Sequence, residues 1–229
     1  MGFNKAEEDE LPFAQTMMSI GNFIPFPYYH LIDGTKFLDR EPPSVRKGVM
    51  DFYESCVKRF VYATGQEKTY LSKNVMSTGR FKSILERFPD AKIIYIARHP
   101  YEALPSFASM FSVMYGHSAD AELSRQALSE HGIQFYLYLA EMRRDIPPSQ
   151  FIALKYDDLV NNPKETVLNV YKHFEWEASP TFVETLEAEQ IRQKSYHSGH
   201  EYSLDEYNLS KDYIYERLFD IFHEFGFEK

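Results

Sequence analysis

Cysteine is nearly absent, with Cys56 alone among 229 residues. An intrachain disulfide is therefore excluded, and so is a zinc site built on thiolates. A reducing compartment, the cytoplasm, is the expected location. Long apolar runs are missing too, and none approaches the roughly 20 residues of a membrane span. The opening MGFNKAEEDE is polar and acidic, unlike a signal or transit peptide. Ala6 stands where a myristoylation motif needs Ser or Thr. Basic charge is in deficit, since 25 Lys and Arg face 34 Asp and Glu for a net charge of −9. That balance argues against a general nucleic-acid binder and leaves room for a local basic pocket holding one anion. What is plentiful is aromatic: 19 Phe and 17 Tyr against one Trp, enough for a thick core.

The chain reads as a single domain spanning 1–229. The first ten residues look loosely structured. The Gly-, Pro- and aromatic-rich stretch Leu11–Glu41 has neither helical nor strand period and reads as a packed covering segment. After Pro42-Pro43, Val45, Val49, Phe52, Cys56 and Phe60 fall on one helical face, ended by Gly65. Thr69–Lys73 predicts a short strand, and a helix carrying Phe81, Ile84, Leu85 and Phe88 stops at Pro89. Lys92–Ala97 is a nearly continuous apolar run, as in a parallel strand buried on both faces. Helices follow through Leu104–Met114 and Asp120–Arg144, then a third strand at Phe151–Tyr156. Further helices are expected at Pro163–Phe174, Pro180–Lys194 and Ser210–Phe225. Strands alternating with helices imply an α/β fold with a mostly parallel sheet.

Three segments carry chemistry. In Ile96-Ala97-Arg98-His99-Pro100-Tyr101-Glu102-Ala103-Leu104-Pro105-Ser106, a strand ends at an Arg and a helix begins, with a Ser eight residues beyond the Arg. Open α/β sheets bind ligands at the carboxyl ends of their strands, where a guanidinium and helix N–H groups suit phosphate. An Arg there equally suits carboxylates at a sheet edge. In Lys155-Tyr156-Asp157-Asp158-Leu159-Val160-Asn161-Asn162-Pro163, a strand ends at a Tyr able to stack on a purine or simply on its neighbours. Lys73 ends the other predicted strand. His197 and His200 form a His-x-x-His pair, but with no clear third ligand no metal is expected.

In order and spacing these segments resemble the sulfotransferases that use 3′-phosphoadenosine 5′-phosphosulfate (PAPS), in their carbohydrate, tyrosyl-protein and bacterial branch. The Tyr156 stretch looks like that family's Tyr-Glu-Asp-Leu-x-x-x-Pro signature with Asp157 in place of Glu. The stretch Ser198–Leu209 resembles the end of that branch. The resemblance implies a P-loop NTPase-like three-layer sandwich with a mostly parallel sheet. It implies PAPS as co-substrate, adenosine 3′,5′-bisphosphate as product, a hydroxyl-bearing acceptor and no metal. Arg98 and Ser106 inherit the 3′-phosphate, Tyr156 the adenine, and Arg192, Lys194 and Ser195 the closing loop. Lys73 inherits stabilisation of the charge developing in transfer.

Two departures qualify that inheritance. Where one branch has a His base two residues after the lysine, this chain has Val75. The protein-tyrosine branch instead uses a Glu nearer the N-terminus, and that resemblance implies Glu7, Glu8 and Glu10 as counterparts, with Glu8 or Glu10 the candidate base. The family's Pro-x-x-Gly-[Ser/Thr]-[Ser/Thr] phosphate loop has no match, and Gly65-Gln66-Glu67-Lys68-Thr69 reads as a turn. The resemblance then implies a fold missing its first central strand. It also implies apolar surface on Ile93–Ala97 through which the chain associates, and transfer that is impaired in this chain. The alternative is a non-catalytic nucleotide-binding or interaction domain derived from the same fold.

Overall fold

The computed structural model describes residues 8–23, 33–112, 121–193 and 203–229. Two compact units divide the chain: Met1–Pro89 with Met114–Ser124, and Asp90–Val113 with Arg125–Lys229. Each is considered by itself.

The first unit is helical. The stretch expected to lack period contains α1 (Leu11–Gln15), a 3-10 turn at Ile20–Phe23, α2 (Asp33–Lys36) and a 3-10 turn at Leu38–Arg40. These pieces are too short for a hydrophobic period to show. The long helix α3 (Pro43–Thr64) starts at a proline and stops at Gly65, whose φ of +126° suits glycine. Its buried face is Val49, Met50 and Tyr53, packed on Phe13 and Leu38, while Phe60 is exposed. The stripe therefore thins toward the helix end, where Phe60 meets the Tyr70 ring edge-on, with centroids 5.5 Å apart, and stays open to solvent. Phe13 and Tyr53 stack with centroids 4.7 Å apart, and Phe88 meets Tyr53 edge-on.

Thr69–Lys73 is irregular chain rather than the expected strand. Its side chains and Asn74 bond to the acidic stretch at residues 8–10 instead of lying in a ladder. Helix α4 (Phe81–Arg87) follows a 3-10 turn at Ser77–Arg80 and lacks a cap of its own. The buried carboxylate of Asp39 supplies one from 43 and 44 residues away, accepting from the N–H groups of Lys82 and Ser83 and the Ser83 hydroxyl. A carboxylate there satisfies orphan donors and faces the positive end of the helix dipole.

The second unit holds the sheet. Strands β1 (Ile93–Ala97) and β2 (Phe151–Lys155) pair in parallel, running from Ile93 opposite Phe151 to Ala97 opposite Lys155. Ile93 and Ala97 are buried, whereas Ile94 and Ile96 are 37% and 44% exposed. The apolar run was expected to be buried on both faces, but it is covered on one and open on the other. Parallel connections need a crossover. Here α5 (Pro100–Ser112) and α6 (Ala121–Met142) lie between the strands in sequence. They approach closely at Gly132, where a Cβ would come within 2.7 Å of the Leu104 side chain.

After β2 come α7 (Tyr156–Asn161), α8 (Pro163–His173) and α9 (Pro180–Gln193). The expected helix Ser210–Phe225 is broken into α10 (Lys211–Arg217) and α11 (Phe219–Phe225) at Leu218, which is buried and off helical geometry. Among the described residues no helix is long and apolar enough to cross a membrane.

Candidate functional site

Parallel register brings two of the candidate residues together. Because Ala97 lies opposite Lys155, the next residues, Arg98 and Tyr156, emerge side by side at the carboxyl end of the strand pair. The Arg98 guanidinium carbon lies 5.1 Å from the Tyr156 ring centroid, within cation–π range. Both side chains are about one-third exposed, so they border solvent rather than fill the core.

Arg98 is held at two further points. Its Nε donates to Glu102 Oε2 at 3.2 Å, one helical turn on. Its main-chain oxygen accepts from the Tyr136 hydroxyl at 2.7 Å. Burial above all, with the nearby Tyr95 and Glu102 reinforcing it and Arg98 opposing it, raises the Tyr136 phenol well above its ordinary range, so it stays a donor. Ser106 is half-buried on α5, one turn beyond Glu102 and on the same helix face. Arg192, in the last turn of α9, is exposed and bonds Glu189 on its own helix. Lys194 and Ser195 lie outside the described residues, as do His197 and His200.

An exposed Arg–Glu pair contributes about 0–1 kcal/mol, and an exposed cation–π contact about 0.5–1 kcal/mol. A charged hydrogen bond to phosphate is worth about 1.5–3 kcal/mol, and a guanidinium can make two. A phosphate can therefore recruit Arg98 from its resting contacts. Nε serves Glu102, while the two Nη groups form the edge that suits a phosphate fork.

The remaining candidates form a cluster within the first unit. Lys73 Nζ and Glu8 Oε1 form an ion pair at 2.6 Å with the lysine largely exposed. Asp9 accepts from Tyr53, from Tyr70 at 3.3 Å and from Asn74 at 3.0 Å. Glu10 takes a two-pronged bond from Arg80, each arm 2.7 Å, and a third from Asn74. Arg80 is buried, covers the Phe13 ring at 3.8 Å and donates to the Met18 carbonyl. Residues 8–10, expected to be loose, are instead clasped by the 70–80 segment. Burial and then the Asp9 charge push the Tyr70 hydroxyl up to about 12, and raise Tyr53 further.

Sequence reasoning missed Glu102, Tyr136, Asp9 and Arg80 as partners. Glu102 had a readable signal, an acid four residues past an arginine at a helix start. The others pair across 38 to 70 positions, where local pattern is silent. An open cleft of about 480 Å³ is lined by Tyr101, Leu204, Asp205, Leu209, Ser210 and Lys211. It includes none of the assigned residues, although Tyr101 is three positions from Arg98. Among the described residues no group of three or more His, Cys, Asp or Glu could hold a metal ion.

A family model described as "Sulfotransferase family" matches residues 35–180, more than half of the chain. The omega-hydroxy-beta-dihydromenaquinone-9 sulfotransferase Stf3 of Mycobacterium bovis is 30% identical over 144 residues, as is its Mycobacterium tuberculosis counterpart. Those residues are 60% of this chain and 37% of the relative, so the match spans little more than a third of the curated proteins. Among solved structures, sulfotransferase STF9 from Mycobacterium avium superposes with a TM-score of 0.76 at 16% identity. That superposition covers 97% of this chain and 56% of the other. Sulfotransferase STF1 from M. tuberculosis gives 0.64 at 17%, covering 95% and 56%. At these identities the structural likeness establishes the fold, the α/β fold of the sulfotransferases.

Proposed function

The chain belongs to the sulfotransferase family, and from that premise we propose that it takes PAPS as sulfuryl donor and serves transfer to a hydroxyl acceptor. The observation that most supports this reading is Arg98 over the Tyr156 ring at the carboxyl ends of β1 and β2. A guanidinium beside an aromatic face suits an adenosine bearing a phosphate on its ribose. Arg98 and Ser106 are assigned the 3′-phosphate and Tyr156 the adenine. Arg192, Lys194 and Ser195 are assigned to the segment that closes over the nucleotide.

PAPS supplies an activated sulfuryl group. The acceptor hydroxyl attacks sulfur in line, the bond from sulfur to the 5′-phosphate oxygen breaks, and adenosine 3′,5′-bisphosphate leaves. Glu8 is the preferred base for the hydroxyl proton, because Glu10 already has both oxygens bonded to Arg80. Lys73, paired with Glu8, is assigned the negative charge that grows during transfer. The Stf3 relatives are named for a hydroxylated menaquinone derivative, which makes a lipid-borne hydroxyl the first acceptor to try.

One observation favours a second reading, a nucleotide-binding domain without transfer. Lys73 and Glu8 neutralise each other, and Glu10 serves Arg80. The test is transfer of labelled sulfate from PAPS to a panel of sugar, phenol and lipid hydroxyls, including an omega-hydroxylated menaquinone. The comparison protein is the same chain fused to a phosphate-loop segment from a longer relative. The proposal expects weak transfer by the 229-residue chain and a large gain on fusion. Specific bisphosphate binding with no transfer in either protein would favour the second reading.

A further inference from the structure

The carbonyl of Arg98 has an uncommon position in the chain. The ladder ends at Ala97 opposite Lys155, so no strand partner serves it. Helix α5 begins at Pro100, which has no N–H to give. The N–H groups of Glu102 and Ala103 both go to the His99 carbonyl, one residue further on. Lying between strand and helix, the Arg98 oxygen needs a donor from elsewhere. The Tyr136 hydroxyl, on the buried face of α6, supplies it at 2.7 Å.

We propose that Tyr136 is a positioning residue for recognition of the nucleotide 3′-phosphate, fixing the Arg98 main chain so that the guanidinium is already over Tyr156 when the ligand arrives. This rests on the reading of Arg98 as the phosphate-binding residue. A guanidinium rides on a long flexible arm, and its placement depends on how firmly the Cα beneath it is held. Glu102 and Tyr156 steady the arm from its far end through exposed and individually weak contacts. Tyr136, itself buried, steadies its root through a partly buried bond to the main-chain oxygen rather than to the guanidinium. Phosphate recognition by a preorganised arginine costs less ordering than recognition by a free one.

The test titrates adenosine 3′,5′-bisphosphate and adenosine 5′-phosphate into the full chain and its Tyr136→Phe, Arg98→Ala and Ile133→Val variants. Tyr136→Phe keeps the ring and removes only the donor. It is expected to weaken bisphosphate binding by about three- to tenfold while changing 5′-phosphate binding less than twofold. Ile133→Val loosens the same helix at a fully buried position and should leave the ratio of the two affinities unchanged. The proposal is overturned if Tyr136→Phe preserves that ratio, or if Ile133→Val lowers it as much. If Arg98→Ala itself leaves the ratio intact, or the unsubstituted chain shows no preference for the bisphosphate, the reading of Arg98 fails first and takes the proposal with it.

Discussion

Glu10 and Arg80 are 70 positions apart, yet each supplies what the other lacks. Arg80 is buried, and without a carboxylate its charge would stand uncompensated in the first unit's core. Breaking such a pair by removing one partner costs about 3–5 kcal/mol, because a buried ion is left behind. Glu10→Ala is thus expected to lower the urea midpoint sharply, whereas a residue acting only as a base would leave it in place. The tyrosines beside Asp9 make a pH prediction. Tyr70 is held protonated up to about 12 in the folded chain, against 10 ordinarily, first by burial and then by Asp9. A raised value means that the stabilisation is whole below about pH 10 and is lost as pH climbs toward 12. Urea midpoints taken from pH 9 to 12 should fall over that window, and Tyr70→Phe should flatten the fall. None of this was legible in the sequence. Glu8 and Glu10 were picked out as candidate bases, but the chain gives no local sign that Asp9, Asn74 and Arg80 will meet them.

Elements were more legible where they were long or strongly apolar. The span of α3, its stop at Gly65, β1, β2 and the helices after Pro163 and Pro180 all follow from spacing, proline and glycine. The misreading of Thr69–Lys73 has a physical cause. A short run with one Leu and one Tyr becomes a strand only if a neighbour accepts its ladder, and here its polar groups turn to residues 8–10. Helix α4 shows the reverse, a legible helix with an illegible cap. Asp39→Ala leaves two helix N–H groups and a hydroxyl short of their acceptor, and is expected to cost about 1–3 kcal/mol by chemical denaturation. Gly79 packs against the Lys36 main chain, and a Cβ there would sit 2.0 Å from the Lys36 carbonyl oxygen. Gly79→Ala should therefore destabilise by about 1–3 kcal/mol, since backbone rather than a flexible side chain must move. A midpoint unchanged by either substitution would contradict these packing assignments.

For the molecule as a whole, family and α/β architecture were readable because the Arg98 and Tyr156 segments each follow a strand. Parallel pairing then placed the two residues next to each other. The acidic balance of the chain makes the local nature of the site plain. A net charge of −9 repels a polyphosphorylated nucleotide at long range, so binding has to come from close contacts such as Arg98. The most direct measurement is a calorimetric comparison of adenosine 3′,5′-bisphosphate with adenosine 5′-phosphate, on the unsubstituted chain and on Arg98→Ala. The account predicts a clear preference for the bisphosphate that Arg98→Ala reduces by about tenfold to a hundredfold, the loss of one charged phosphate contact. Equal affinity for the two nucleotides, or a preference that survives Arg98→Ala, would contradict it.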